Sequence, residues 1–241
     1  MTTFFYAPPN AFQTDQYVVL PEEEAAHAIR VLRKRPGDEI EVVDGEGGWY
    51  RVCLDHVGKR TARGVILEKR RDVGEPDVDV SIGLALLKNR NRFETFLEKA
   101  VELGVREVIP LMTHRTEKAR WKAERARNIV LAAMKQCGRS RLIRLADPLP
   151  MGHLFHHNTV DLALIGHEKV EPGRTIMKAL NRQPKVRTVR VLIGPEGGFT
   201  DEEVGAARQA GYVPVSLGPR RLRAETAALV AAASVMLTWG G

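Results

Sequence analysis

Two turns hold the residues best suited to chemistry in this chain. The first follows an apolar run, Val189–Ile193, and reads Gly194-Pro195-Glu196-Gly197-Gly198-Phe199-Thr200. The second follows Val213–Leu217 and reads Gly218-Pro219-Arg220-Arg221-Leu222-Arg223-Ala224-Glu225. Gly194, Gly197 and Gly198 lack a Cβ, so the backbone can take positive φ and approach a bound molecule closely. Pro195 fixes its own φ and removes a donor. Thr200, with Glu203 three residues later, is a capping-box pattern and predicts a helix from Asp201. Strand, glycine turn and helix is the outline of a nucleotide site in an α/β domain. The dinucleotide fingerprint is absent, and no G-K-[ST] follows, so this is not a P-loop. Glu196 opposes a phosphate, so a ligand with a cationic or neutral reacting end suits the turn better than a polyphosphate. A glycine turn without a ligand is the plainer alternative. Two such turns, read here as lying at the ends of neighbouring strands, favour one pocket walled by backbone groups.

The charge balance points to a second kind of partner. The 241 residues include 37 Lys and Arg against 30 Asp and Glu, a net charge of +7. That surplus favours a polyanion, of which nucleic acid is the commonest, although mild basicity is also compatible with no such partner. Arg30, Arg33, Lys34 and Arg35 place four cations within six residues at the end of a helix-like segment. Cations suit a helix C-terminus, but four exceed what capping needs, and a phosphate-facing patch is the preferred reading. Cys53 and Cys137 have neither C-x-x-C nor metal-ligand spacing, which argues against a disulfide or zinc scaffold and for a reducing compartment. No metal is expected. His27 reads as a packed or surface helix residue, and His114, His153, His156, His157 and His167 are too scattered for a role. No basic leader precedes an apolar run and no stretch approaches eighteen apolar residues, so neither a secretory signal nor a membrane span is expected, and the location is read as cytoplasmic.

The elements that must position these residues fall into two parts. Pro21 and the acids Glu22, Glu23 and Glu24 predict a helix start, with Ala25, Ala28, Ile29 and Leu32 keeping a helical period. After Gly37 the period changes to two. Glu39–Val42, Tyr50–Leu54 and Val65–Leu67 read as short strands between glycine turns, which predicts a small β-barrel with a basic face. Residues 72–77, D-V-G-E-P-D, read as a linker, giving domains at 1–72 and 73–241. Beyond it, strands at Val78–Leu87, Val105–Pro110 and Val160–Ile165 alternate with helices at Arg92–Leu103, Lys122–Cys137 and near Thr175–Leu180. Gly104 and Gly138 are helix stops. This is an α/β domain with a parallel sheet. The last helix, Ala224–Thr238, is small and apolar nearly all round, which predicts burial in the core, against another subunit, or both.

These motifs carry a family resemblance. I-G-P-E-G-G-F-T-D-E-E at 193–203 and L-G-P-R-R-L-R-A-E-T-A at 217–227 resemble the signature of the RsmE family, which methylates N3 of a uridine in small-subunit ribosomal RNA. Residues 86–110, from Leu86 through E-L-G-V to Pro110, and A-A-M-K-Q-C-G-R at 132–139 resemble two further family blocks; His27, Val31, Leu32 and Arg33 match its H-x-x-x-V-L-R segment. The resemblance covers essentially the whole chain. It implies a SPOUT-type parallel sheet with a C-terminal trefoil knot holding S-adenosylmethionine, a PUA-like N-terminal barrel, a homodimer, and 16S ribosomal RNA of the small subunit as partner. It carries cofactor binding over to Ile165, Gly166, Gly194, Pro195, Glu196, Gly197, Leu217, Gly218, Leu222 and Arg223. Methyl transfer to N3 needs donors at the flanking carbonyl oxygens, so Arg139 and Arg223 are candidates for the uridine or its phosphate. Glu225 could orient an arginine, act as a base, or merely cap the last helix. Cys137 stands where the family has serine, Arg221 where it has an aliphatic residue, and the segment after Arg139 lacks the usual proline; these departures touch RNA contacts more than cofactor binding.

Three other readings compete. A SPOUT methyltransferase acting on transfer RNA or on a ribose 2′-oxygen is opposed by the N-terminal barrel and by R-L-R-A-E-T-A. A non-catalytic RNA-binding assembly factor is opposed by the intact G-P-E-G-G turn. A Rossmann dehydrogenase is opposed by the glycine spacing.

Overall fold

The computed structural model describes residues 4–117, 121–156, 159–171 and 173–241; His157 lies outside them. The chain divides into two compact units, one of residues 1–75 with 131–142, the other of residues 76–130 with 143–241.

The first unit is a six-stranded sheet. Its strands are β1 (Phe5–Tyr6), β2 (Phe12–Thr14), β3 (Tyr17–Val19), β4 (Glu39–Val43), β5 (Gly48–Val57) and β6 (Ala62–Arg71), with the short helix α1 (Glu22–Ala26) between β3 and β4. The spatial order is β1-β4-β5-β6-β3-β2. The three runs read from the sequence are present as β4, β5 and β6. The first three strands were not anticipated, because two or three residues are too short to display a period. The core lies under α1, where Phe5, Val18, Leu20, Ile40, Val42, Val52 and Leu54 pack around Ala25 and Ala28.

The helix after Pro21 departs from its expected course. Pro21 is the N-cap, and the α-helix ends at Ala26 and continues as a π-turn over His27–Val31. The Leu32 N–H reaches back five residues to the His27 carbonyl at 3.1 Å. That widened turn carries Leu32 off the apolar face on which a regular 3.6 period would place it. Leu32 is therefore 41% exposed rather than part of the core stripe.

The second unit is a wholly parallel sheet. Its elements in chain order are β7 (Asp79–Ala85), α2 (Arg90–Glu102), β8 (Glu107–Met112), α3 (Ala123–Cys137, shared with the first unit), β9 (Arg144–Leu145), β10 (Leu149–Pro150), β11 (Leu162–Gly166), α4 (Ile176–Asn181), β12 (Thr188–Ile193), α5 (Asp201–Gln209), β13 (Val213–Val215) and α6 (Ala224–Trp239). The strand order is β10-β8-β7-β12-β11-β13, with β9 on β8. Every strand pair in it is parallel, as the alternation of strands and helices requires. Gly104 and Gly138 take φ of 88° and 78° at the ends of α2 and α3, the left-handed conformation of a helix stop.

One expectation about the turns is corrected. The strands that precede them, β12 and β13, are not neighbours, because β11 lies between them. Residues 162–165 of β11 are all buried, and this apolar strand gains most by pairing on both sides, which Leu162↔Val189 and Leu164↔Val213 provide. Order along the chain does not fix order across a sheet.

Candidate functional site

A cleft of about 750 Å³ opens at the C-terminal ends of β11, β12 and β13, walled by residues 166–169, 193–199 and 216–224 together with Arg115 and Ala227. That is where an open parallel sheet binds its ligands. Three strand ends build it: the two glycine turns and the end of β11, where the family resemblance places Ile165 and Gly166.

The first turn is held tightly. Gly198 takes φ of 68° and its N–H closes the turn on the Pro195 carbonyl at 2.8 Å. A Cβ on Gly194 would sit 3.0 Å from the Gly198 carbonyl carbon and 3.1 Å from the Phe199 nitrogen, so glycine is required there by packing against backbone. Thr200 caps α5 as expected: its Oγ1 accepts from Glu203 N at 3.1 Å, while Glu203 Oε2 accepts from Thr200 N at 2.8 Å. The other oxygen of Glu203 accepts from His114 N at 2.8 Å. Next to His114, the Arg115 guanidinium donates to Gly197 O at 2.5 Å and reaches Phe199 O at 3.5 Å. The loop after β8 thus clips the turn from outside. Arg115 escaped the sequence reading because it lies 82 residues from its partner and no local pattern marks it.

The end of β11 forms the second wall. Ile165 is fully buried behind the cleft, whereas Gly166 lines it. A Cβ on Gly166 would meet Ile193 Cδ1 at 2.8 Å. The His167 N–H donates to Val215 O at 3.0 Å, and burial pushes its imidazole pKa below the usual value.

The second turn is looser. Gly218 takes φ of 123°, a conformation that favours glycine, with open space where a Cβ would stand. Ser216 Oγ accepts from the Gly218 N–H at 3.2 Å. Leu217 and Leu222 are half-buried along the wall, and Arg220, Arg221 and Arg223 are exposed at the mouth. Glu225 does not line the cleft; from the first turn of α6 its Oε1 lies 3.7 Å from Arg92 Nε. Arg92 also stands 4.0 Å from Glu196, so one guanidinium lies between the two carboxylates.

Of the sequence candidates, the cleft therefore brings together Gly166, Gly194, Pro195, Glu196, Gly197, Leu217, Gly218, Leu222 and Arg223. Arg139 belongs to the first unit and does not line the cleft. It is 3% exposed, with Nη2 bonded to Glu75 Oε2 at 2.7 Å. Glu75 also accepts from the backbone of Ser140 and Arg141, at 3.0 and 2.8 Å. Arg30, in the π-turn, and Arg33 and Arg35, in the loop after it, are exposed, and Lys34 in that loop is half-buried.

Residues 74–236 match the model of the RNA methyltransferase domain, and residues 20–67 match that of the RNA methyltransferase PUA domain. Ribosomal RNA small subunit methyltransferase E of Synechocystis is 35% identical over 223 residues, covering 90% of this chain and 72% of that protein. The chain belongs to this family. The methyltransferase E of Bacillus subtilis is 28% identical over 223 residues, covering 88% of this chain and 87% of that one. The crystal structure of ribosomal RNA small subunit methyltransferase E from Neisseria gonorrhoeae, bound to S-adenosyl methionine, superposes with a TM-score of 0.84 at 28% identity, covering 100% of this chain and 99% of that chain. The matches reach both units: the PUA match takes in β4, β5 and the first part of β6 of the six-stranded sheet, and the methyltransferase match takes in every strand of the parallel sheet.

Proposed function

We propose that the chain methylates N3 of one uridine in 16S ribosomal RNA of the small subunit, using S-adenosylmethionine, with residues 1–72 engaging RNA and residues 73–241 carrying the transfer. The observation that carries this reading is the cleft at the ends of β11, β12 and β13, where backbone rather than side chain forms two walls. At Gly198 and Gly218 positive φ coincides with no atom within 4 Å of a Cβ position, so the backbone there faces open space. Such a surface suits the adenine and ribose of a nucleoside ligand, and half-buried Leu217 and Leu222 offer an apolar bed for the ring. The Glu196 carboxylate on the lip favours a cationic ligand group.

When bound, the cofactor supplies an electrophilic methyl group on a sulfonium. The chain's own residues then have three tasks. The clipped first turn fixes the position of the ligand, and orientation of this kind supplies much of the rate of a displacement. Arg223, exposed at the mouth, donates to a uracil oxygen or the adjoining phosphate and so stabilises the anion left when N3 loses its proton. Glu225 and Glu196 hold Arg92 between them and fix the start of α6 against the first turn. Arg139, held by Glu75, shapes the 138–141 loop and acts on the RNA through that loop.

The topology also supports a trefoil knot and a homodimer. The chain passes from β12 through α5 to β13 across β11, and α6 then returns to pack on β12 and β7. On α6, Ala228, Ala231, Ala232 and Val235 are buried while Leu237 is 88% exposed, an apolar side chain suited to a second copy. No described helix is long and apolar enough to cross a membrane, and a cytoplasmic location fits an RNA substrate.

The test is methyl transfer from labelled S-adenosylmethionine to small ribosomal subunits that lack the modification, followed by nucleoside identification. Label in 3-methyluridine at one site supports the proposal. Cofactor binding without label moves the substrate to another RNA, and no cofactor binding overturns the enzyme reading.

A further inference from the structure

In the first unit, most described cations are neutralised by a carboxylate. Arg60 pairs with Glu22, Arg63 with Asp55, Lys69 with Asp15, Arg70 with Glu68, Lys135 with Glu24 and Arg141 with Asp72. Arg30, Arg33, Lys34 and Arg35 differ: none forms an ion pair among the described residues, and Lys34 Nζ donates only to the Glu39 carbonyl at 3.0 Å. Lys59 and Arg71 also form none, Arg71 donating only to the Glu46 carbonyl, so among the described residues four of this unit's six cations without an ion pair fall within residues 30–35. Between these cations stand Val31 and Leu32, 64% and 41% exposed.

The backbone is shaped to present that pair. The π-turn over His27–Val31 ends the helix, Lys34 N–H bonds Ala28 O at 2.9 Å, and Arg33 takes φ of 53°. A left-handed residue that is not glycine carries steric strain, and such strain clusters at functional sites. A π-turn is a second departure of the same kind. Both occur where two exposed apolar side chains stand in the chain between Arg30 and Arg33.

We propose that Val31 and Leu32 form an apolar tip that packs against unstacked bases of the substrate RNA, while Arg30, Arg33 and Arg35 hold the phosphates on either side. The charge selects a polyanion. The apolar tip selects a site where base faces are available, which in RNA means a loop, bulge or end and not the interior of a duplex. Apolar contact with a base face is tolerant of sequence, and the flanking phosphate contacts fix its register. This inference rests on the reading of the chain as an RNA methyltransferase.

The test uses the full-length protein with unmodified small ribosomal subunits, comparing wild type with Val31→Ser/Leu32→Ser, Arg30→Gln/Arg35→Gln and Arg33→Gly. The serine pair should raise KM for the subunits about 10-fold and leave kcat, S-adenosylmethionine affinity and the salt dependence of RNA binding unchanged. The glutamine pair should weaken binding and reduce the slope of log K against log salt by about 1.4 to 1.8, roughly 0.7–0.9 for each lost phosphate contact. Arg33→Gly should raise the melting temperature, because glycine accepts the left-handed backbone, yet weaken RNA binding; a merely structural loop would gain stability without losing affinity. An unchanged KM in the serine pair overturns the proposal. So does a change of oligomeric mass in that variant, which would assign the tip to a contact between copies. Failure of the wild-type protein to methylate the subunits at all, with the cofactor bound, would instead overturn the functional reading on which the proposal rests.

Discussion

The two turns that wall the cleft are built on opposite terms. In the first, the Arg115 guanidinium reaches the carbonyls of Gly197 and Phe199, and the Glu203 carboxylate accepts from Thr200 and His114. In the second, Ser216 closes on Gly218, while Arg220, Arg221 and Arg223 form no ion pair among the described residues. A turn braced from outside keeps its backbone in one place for a small ligand and loses little freedom on binding. A turn with exposed guanidinium groups presents charge that can adapt to a larger, variable partner. On the proposed function, this difference would divide the labour within one cleft, with the cofactor set by the braced wall and the nucleotide by the charged one.

That contrast can be broken or sharpened by substitution. The largest effect is expected at Gly194. Gly194→Val drives new atoms into the backbone of Gly198 and Phe199 and should abolish measurable S-adenosylmethionine binding by calorimetry, a loss of at least about 100-fold, or about 2.8 kcal/mol. Gly218→Ala meets open space and should cost only the strain of its positive φ, about 1–2 kcal/mol. Equal damage from the two would end the comparison. Next, Arg223→Ala should lower kcat on ribosomal subunits by about 100-fold, in the range found when one charge-stabilising donor is removed, while cofactor affinity shifts by no more than about 3-fold. A parallel collapse of cofactor binding would place Arg223 with the rigid wall.

Smaller effects test the brace. Arg115→Ala should weaken cofactor binding by about 10-fold, near 1.4 kcal/mol, through loss of the bond to the Gly197 carbonyl, and Arg115→Lys should restore part of it. If Arg115→Ala instead lowers kcat with unchanged cofactor affinity, the residue serves the substrate. The smallest effect concerns acid. The folded His167 pKa is depressed by burial, so the unfolded chain takes up the proton first as pH falls. Stability from this group is complete above the unfolded value of about 6.5 and declines as pH falls from there towards the folded value. His167→Gln should remove a fraction of a kcal/mol of that acid loss, read as a flatter dependence of the urea midpoint between about pH 7 and pH 5.

How legible each wall was follows from the range of its interactions. The capping box of Thr200 and Glu203 spans three residues, and it appears in the fold as the sequence predicts. The glycines of both turns and the leucines beside them were also readable, because their roles depend on local backbone. Arg115 and Arg92 act through contacts with residues far along the chain, and nothing in their neighbourhood marks them, whereas Gly166 at the end of β11 was reached through the family resemblance. The expected adjacency of β12 and β13 failed for the same reason: a strand-helix-strand pattern says that two strands are parallel, not that nothing lies between them. At the π-turn the periodic argument itself failed, since one widened turn rotated Leu32 into solvent.

By itself, the sequence determined the classes of element, the helix caps, the two glycine turns, the surplus of cations at residues 30–35 and, through its motifs, the family. These are properties of backbone preference and composition acting over a few residues. Tertiary structure decided which strand ends meet at the cleft, which guanidinium braces a turn, which one is buried against Glu75, and which cations remain without a carboxylate. Those outcomes depend on where residues dozens of positions apart come to rest. Burial and pairing at such a distance are properties of the whole fold, and no local stretch encodes them.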